Sequence, residues 1–244
     1  MDIKKLIKRI IDVSYKAKEG HIASSLSVLN ILHVLYGKVL KDTNHHFILS
    51  KGHASLGLYV ILEHFGLLED NLDDVCKFTS NLGGHPSNKI KNIEASTGSL
   101  GHGLPMGLGM ALGEKIKGTN NKVFVIIGDG ESNEGTNWES ALLAPNHSLN
   151  NLYCIMDYNH SNDRALKLDN IMDKFKSFNW HCVEINGHNE DEILRALEIV
   201  SDKPVFILAN TIKGRGCEMM ENKPEWHHKF PTEEEYKIIM DTLN

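Results

Sequence analysis

Ile3, Leu6, Ile7, Ile10, Ile11 and Ala17 recur at the spacing that places them on one face of a helix, and the pattern stops at Gly20. A second apolar stretch predicts a helix over 26–36, ending near Gly37. A third predicts one over 54–65, with Gly66 as its C-terminal stop. The first third of the chain therefore reads as helical. From about residue 120 the rhythm changes. Val123-Phe124-Val125-Ile126-Ile127 is apolar without alternation, as a strand buried on both faces of a parallel sheet requires. There follow a helix over 135–147, a strand over 152–156 and a helical stretch near 169–178. A strand over 181–185, a helix over 191–200 and a strand over 205–209 complete the series. Strand alternating with helix predicts an α/β fold: a doubly wound parallel sheet flanked by helices. Thr232-Glu233-Glu234-Glu235 forms a capping box that opens a last helix. No repeat, low-complexity segment or linker interrupts residues 1–244, which read as one domain.

Composition narrows the class. At 41% hydrophobic and 24% charged residues the chain is an ordinary globular one, and disorder is excluded. A net charge of −6 without a basic block argues against nucleic acid or an anionic membrane as partner. The four cysteines, Cys76, Cys154, Cys182 and Cys217, lie far apart with no CxxC pair. That favours reduced thiols over a disulfide framework or a zinc finger. The first residues alternate charged with apolar side chains, unlike a signal peptide, and no apolar run reaches about 18 residues. A cytoplasmic protein is expected.

Two strand ends carry chemistry. In open parallel sheets ligands sit beyond the carboxyl ends of the strands. The first strand runs into Gly128-Asp129-Gly130 and the second into Asp157-Tyr158-Asn159. The glycines permit a tight turn whose backbone N–H groups can approach a phosphate. Asp129 offers a hard carboxylate oxygen and Asn159 a neutral amide oxygen. With a backbone carbonyl they leave about three octahedral positions for phosphate oxygens and water, which suits Mg²⁺. Gly-Asp-Gly alone more often marks a turn. At the end of a buried strand, with Asn at the next strand end, it reads as a diphosphate–metal site.

Gly128-Asp129-Gly130 with Asn159 resembles the thiamine diphosphate signature, and its surroundings resemble the transketolase family. The resemblance rests on Gly128-Asp129-Gly130-Glu131-Ser132-Asn133-Glu134-Gly135 followed by Trp138-Glu139. It also rests on Gly20-His21, Ser50-Lys51-Gly52-His53, Gly84-His85-Pro86 and Thr97-Gly98-Ser99-Leu100-Gly101-His102-Gly103. Lys213-Gly214-Arg215-Gly216 and Met220-Glu221-Asn222-Lys223-Pro224-Glu225-Trp226-His227 complete it, in the family's order.

The resemblance implies the thiamine diphosphate-binding fold, with thiamine diphosphate and Mg²⁺ as cofactors. It assigns Asp129, Asn159 and the backbone carbonyl of Ser161 to the metal. His53 and His227 match histidines at the diphosphate or thiazolium, Gly128 and Gly130 flank the diphosphate, and Gly98 and Leu100 match positions lining the aminopyrimidine. His21 and His85 match histidines that bond substrate hydroxyls or move protons, a task that suits an imidazole near neutrality. Glu134 and Glu139 match acidic residues of the family's subunit interface, where Glu134 would link the two active sites. His45, His46, His64, His147, His181 and His188 have no such context and read as surface or core residues.

An undivided transketolase adds a pyrimidine-binding domain and a C-terminal domain, which this chain lacks. The resemblance therefore implies the N-terminal subunit of a split transketolase, a transferase moving a two-carbon ketol unit from a ketose to an aldehyde acceptor. Its partner would be the C-terminal subunit carrying the pyrimidine-binding domain, in an α2β2 assembly acting on sugars, and alone it would be inactive. The chain departs from the pattern at Ile22-Ala23-Ser24, at His102, at His228 where a glycine is common, and in a short stretch after Asn159. Such changes fit a chain serving specialised sugar biosynthesis. Two alternatives stay open: the α subunit of a 2-oxo acid dehydrogenase-type complex, and an inactive nucleotide-binding regulatory module.

Overall fold

The computed structural model describes residues 3–163 and 166–243. Its helices are α1 (Ile3–Ala17), α2 (Ile22–Val34), α3 (Ser55–His64), α4 (Gly103–Lys117), α5 (Gly135–Asn146), α6 (Ile171–Ser177), α7 (Glu190–Leu197) and α8 (Glu233–Thr242). The strands are β1 (His46–Leu49), β2 (Val123–Gly128), β3 (Leu152–Tyr158), β4 (His181–Asn186) and β5 (Val205–Asn210). They join one sheet in the order β1-β2-β3-β5-β4, parallel throughout. The doubly wound architecture is as the alternating pattern predicts, with one strand more than expected.

The central strands are apolar along their whole length because they feed two cores. Phe124 and Ile126 of β2, Tyr153 and Ile155 of β3, and Val205 and Ile207 of β5 pack on one face. Val123, Val125 and Ile127, then Leu152, Cys154 and Met156, then Phe206 and Leu208 pack on the other. Successive strand residues point to opposite faces, so covering both removes the polar half of the alternation. Helices α1, α2, α3, α7 and α8 supply the first core, and α4, α5 and α6 the second.

Two elements escape the sequence pattern. Strand β1 falls within the stretch that reads as helical; with four residues it is too short to show a period. Helix α4, GLPMGLGMALGEKIK, carries glycines that weaken a helical signal. One of them serves packing: a Cβ on Gly107 would stand 2.3 Å from Val125 Cγ2, so only glycine lets α4 lie this close to β2. A different expectation holds at the other end, where Thr232 and Glu235 close the capping box of α8. The helical stretch Ile22–Val39 is long and apolar enough to cross a membrane, yet 72% of it is buried within the protein, the position of a core helix.

The register sets the site. Gly128 pairs with Asp157 across β2 and β3, so Asp129 and Asn159 leave the same end of adjacent strands, one residue out of step.

Candidate functional site

At the carboxyl ends of β2 and β3 opens a cleft of about 730 Å³, lined by Lys51, His53, Asp129, Asn159, Lys213 and His227, with Gly128, Gly130, Leu100 and Ser161. Asp129 follows β2 and caps a short 3-10 turn. Its carboxylate is 3% exposed. Oδ1 accepts from the Gly130 N–H at 2.8 Å and Oδ2 from the Asn162 N–H at 3.3 Å. Burial pushes its carboxyl above the ordinary range, opposed by the Gly130 N–H. No cation pairs with it among the described residues.

Asn159 is oriented by its neighbours. Its Nδ2 donates to Asp157 Oδ2 at 3.3 Å, which fixes the amide so that Oδ1 accepts from the Ser161 N–H at 3.2 Å and from the Ser161 hydroxyl. A buried carboxylate with no ion-pair partner among the described residues, beside an oriented amide oxygen, is a hard oxygen donor set that fits a divalent cation of the Mg²⁺ kind.

Asp157 is itself held by a buried network. Lys51, with its side chain 1% exposed, pairs with the fully buried Asp157, and Ser27 and Thr211 donate hydroxyls to the same carboxylate. Burial alone would raise the Asp157 carboxyl; Lys51 and the hydroxyls more than offset it and hold it below its ordinary value. Glu131, also buried, accepts from the Ser50 hydroxyl, the Gly101 N–H at 2.9 Å and the Gly128 N–H at 3.0 Å. One carboxylate thus joins the segments after β1, before α4 and at the end of β2.

Above this floor the histidines gather. The His21 ring lies 5.4 Å from His53, 5.8 Å from His227 and 6.4 Å from His85, centroid to centroid. Burial and the Lys51 charge push His53 down to about 2. Burial and neighbouring imidazoles push His21 down to about 4. Both are neutral at physiological pH, each ring having one donor and one acceptor. Burial and Lys213 lower His227 as well. Lys213 donates to His227 Nδ1 at 2.7 Å, and burial and the Lys51 charge lower its ammonium to about 8. Gly98, at φ +140, must be glycine, since a Cβ there would meet His85 Cδ2 at 2.9 Å.

The structure therefore brings His21, His53, His85, His227, Gly98, Leu100, Gly128, Asp129, Gly130, Asn159 and Ser161 to one cleft and its margin. Glu134 stands apart: it caps the start of α5 and is exposed, outside the cleft lining. Glu131, Lys51, Asp157 and Lys213 carry roles that the sequence pattern alone does not assign. A charged residue ending an apolar strand, as Asp157 does, is the one available signal, since burial there requires a partner.

The family profile described as "Transketolase, thiamine diphosphate binding domain" matches residues 3–242. One chain of the apulose-4-phosphate transketolase of Phocaeicola vulgatus, itself named as a subunit, is 36% identical over 247 residues, covering 94% of this chain and 88% of the relative. The 6-deoxy-6-sulfo-D-fructose transketolase subunit SqwG of a Clostridium species is 36% identical over 242 residues, covering 92% and 88%. Human transketolase is 34% identical over 234 residues, covering 90% of this chain but 38% of the human protein. The crystal structure of transketolase from Campylobacter jejuni superposes with a TM-score of 0.89 at 28% identity, covering 98% of this chain and 42% of that one. The chain thus spans most of the length of the subunit-type relatives and about two fifths of the undivided ones.

Proposed function

This chain belongs to the transketolase family of transferases, and we propose that it is the diphosphate-binding subunit of a two-chain enzyme transferring a two-carbon ketol unit from a ketose to an aldehyde. Relatives of similar length that are named as subunits imply a second chain. The observation that carries the reading is Asp129: a buried carboxylate with no ion-pair partner among the described residues, at the same sheet edge as the Asn159 amide, beneath a cleft edged by a lysine and neutral imidazoles.

When bound, thiamine diphosphate supplies the electron sink that carbon–carbon cleavage needs. Asp129 and Asn159 would hold Mg²⁺, with Ser161 beside them. Lys213 and His227 offer N–H donors to the diphosphate; the lysine bond at Nδ1 places the imidazole proton on Nε2. His53, kept neutral, donates or accepts without adding charge. His21 and His85, at the margin, are placed to bond sugar hydroxyls and to move protons.

The partner would contribute the grip on the pyrimidine end of the cofactor. Support for a docking face comes from apolar side chains exposed on neighbouring helices: Met106 on α4, and Leu142 and Leu143 on α5, with Leu142 52% exposed. Glu134, exposed at the start of α5, would meet the same partner. An α2β2 arrangement in the cytoplasm fits this division of labour. The relatives named for apulose-4-phosphate and 6-deoxy-6-sulfo-D-fructose support a ketose bearing an anionic group as substrate.

The test is titration calorimetry of thiamine diphosphate, with and without Mg²⁺, into the chain mixed with a C-terminal-type transketolase subunit, beside a coupled ketol-transfer assay. Saturable Mg²⁺-dependent binding and activity confined to the mixture are expected. Full activity of the chain alone, or no binding by the mixture, overturns the reading.

A further inference from the structure

Glu19, His21 and His228 gather at the edge of the histidine cluster. One ligand atom from each lies within 4.8 Å of the other two. The His21 and His228 rings stand 4.5 Å apart, and Glu19 Oε1 is 3.7 Å from His21 Nδ1. That Nδ1 is buried and has no hydrogen-bond partner among the described residues. An orphaned ring nitrogen beside a carboxylate oxygen is an incomplete arrangement, since a buried acceptor or donor left unpaired costs about 1–3 kcal/mol. His21 also sits at φ +60, a left-handed conformation unusual outside glycine, asparagine and aspartate.

The surroundings make room for this group. A Cβ on Gly20 would stand 3.0 Å from the His228 ring, and one on Gly84 would stand 3.2 Å from Glu19 Oε1. Cys76 donates its thiol to Glu19 Oε2 at 3.5 Å, which turns Oε1 toward His21. Burial and Glu19 push the Cys76 thiol up to about 11, so it acts as a donor to the carboxylate and not as a thiolate. Burial also keeps His21 neutral, the form that ligates metal.

We propose that Glu19, His21 and His228 form a binding site for a divalent transition metal of the Zn²⁺ class, separate from the Asp129–Asn159 site. Two imidazole nitrogens and one carboxylate oxygen, with a further position open to water, is a familiar zinc donor set. With bonds of about 2.0–2.1 Å the ligand atoms of a tetrahedral site stand about 3.4 Å apart. The 3.7 Å between Glu19 and His21 needs almost no movement, and the exposed His228 supplies the rest by a rotamer adjustment. Coordination through Nδ1 leaves the His21 proton on Nε2, fixing one tautomer of a residue at the cleft margin. The metal is thereby coupled to the cleft without belonging to the diphosphate floor.

The site is tested by equilibrium dialysis of the full chain against Zn²⁺ with elemental analysis, and by the visible absorbance of the Co²⁺-loaded protein. Wild type should retain one tight equivalent of Zn²⁺ and show the intense bands of low-coordinate Co²⁺. His228→Gly and Glu19→Gln should each lose that equivalent while keeping the wild-type melting temperature without metal. His147→Ala, an exposed histidine elsewhere, should keep it. Unchanged zinc retention in His228→Gly, or no tight equivalent in wild type, overturns the proposal. Because the readout needs neither thiamine diphosphate nor a partner, it stands or falls apart from the ketol-transfer reading.

Discussion

The Lys213 ammonium donates to His227 Nδ1 at 2.7 Å, so a cation and a neutral imidazole act as one unit at the cleft wall. The lysine charge also suppresses protonation of the ring. Lys213→Met removes both effects, and the His227 titration followed by NMR of its ring protons should move up toward the ordinary histidine value. The same variant should bind diphosphate more weakly. A His227 titration unmoved by the substitution would uncouple the pair.

Acid should weaken the fold through His21 and His53. Unfolded, both bind protons near pH 6.5; folded, they resist until about pH 4 and about pH 2. Below pH 6.5 the unfolded chain therefore holds more protons, and stability falls with pH. The contribution is complete above pH 6.5 and is lost on acidification toward those lower values. At about 1.4 kcal/mol per pH unit and group, each costs on the order of 2 kcal/mol by pH 5. Urea midpoints at pH 7 and pH 5 measure the slope, and His53→Gln should remove its share.

Asp129→Ala should keep the fold and lose Mg²⁺-dependent cofactor binding by at least about 100-fold, since oxygen-ligated metal depends on its carboxylate. Burial already disfavours that charge, so the apo melting temperature should stay level or rise. Calorimetry with the partner present reads the first effect and circular dichroism the second.

Lys51→Met should be severely destabilising. It leaves the Asp157 carboxylate buried without its ion pair, a loss of about 3–5 kcal/mol. Replacing Asp157 with Leu in the same chain should recover part of the loss, because no uncompensated charge then remains. Urea denaturation of the two variants decides it: equal stabilities would remove the pair from the account.

His85→Ala should leave cofactor affinity near normal and slow turnover about 10²–10⁴-fold, as for a lost proton-transfer or positioning group. Steady-state kinetics with the true donor ketose, once the partner is present, gives the split between kcat and KM. Unaltered constants would return His85 to a packing role beside Gly98.

What the sequence discloses and what it hides follows from range. The runs at 123–127, 152–156 and 205–209 are legible because burial on both faces leaves them uniformly apolar. The Asp129 and Asn159 pairing is legible because each follows such a run. Strand β1 is hidden by its length and α4 by its glycines. Glu131, Lys51 and Lys213 stand inside the quoted segments, but residue type alone does not say that a charge will be buried, nor against what. The Glu19–His21–His228 group is hidden for another reason, since its members come together only when the segment after residue 220 folds back over Gly20.

The three bonds accepted by Glu131 have a kinetic meaning. The amides of Gly101 and Gly128 bond the two oxygens of one carboxylate, so a movement of the Glu131 side chain exposes both. Their hydrogen exchange should be correlated, rising and falling as one event. The loop before α4 and the end of β2 should therefore open together, and removing the Glu131 side chain should free both.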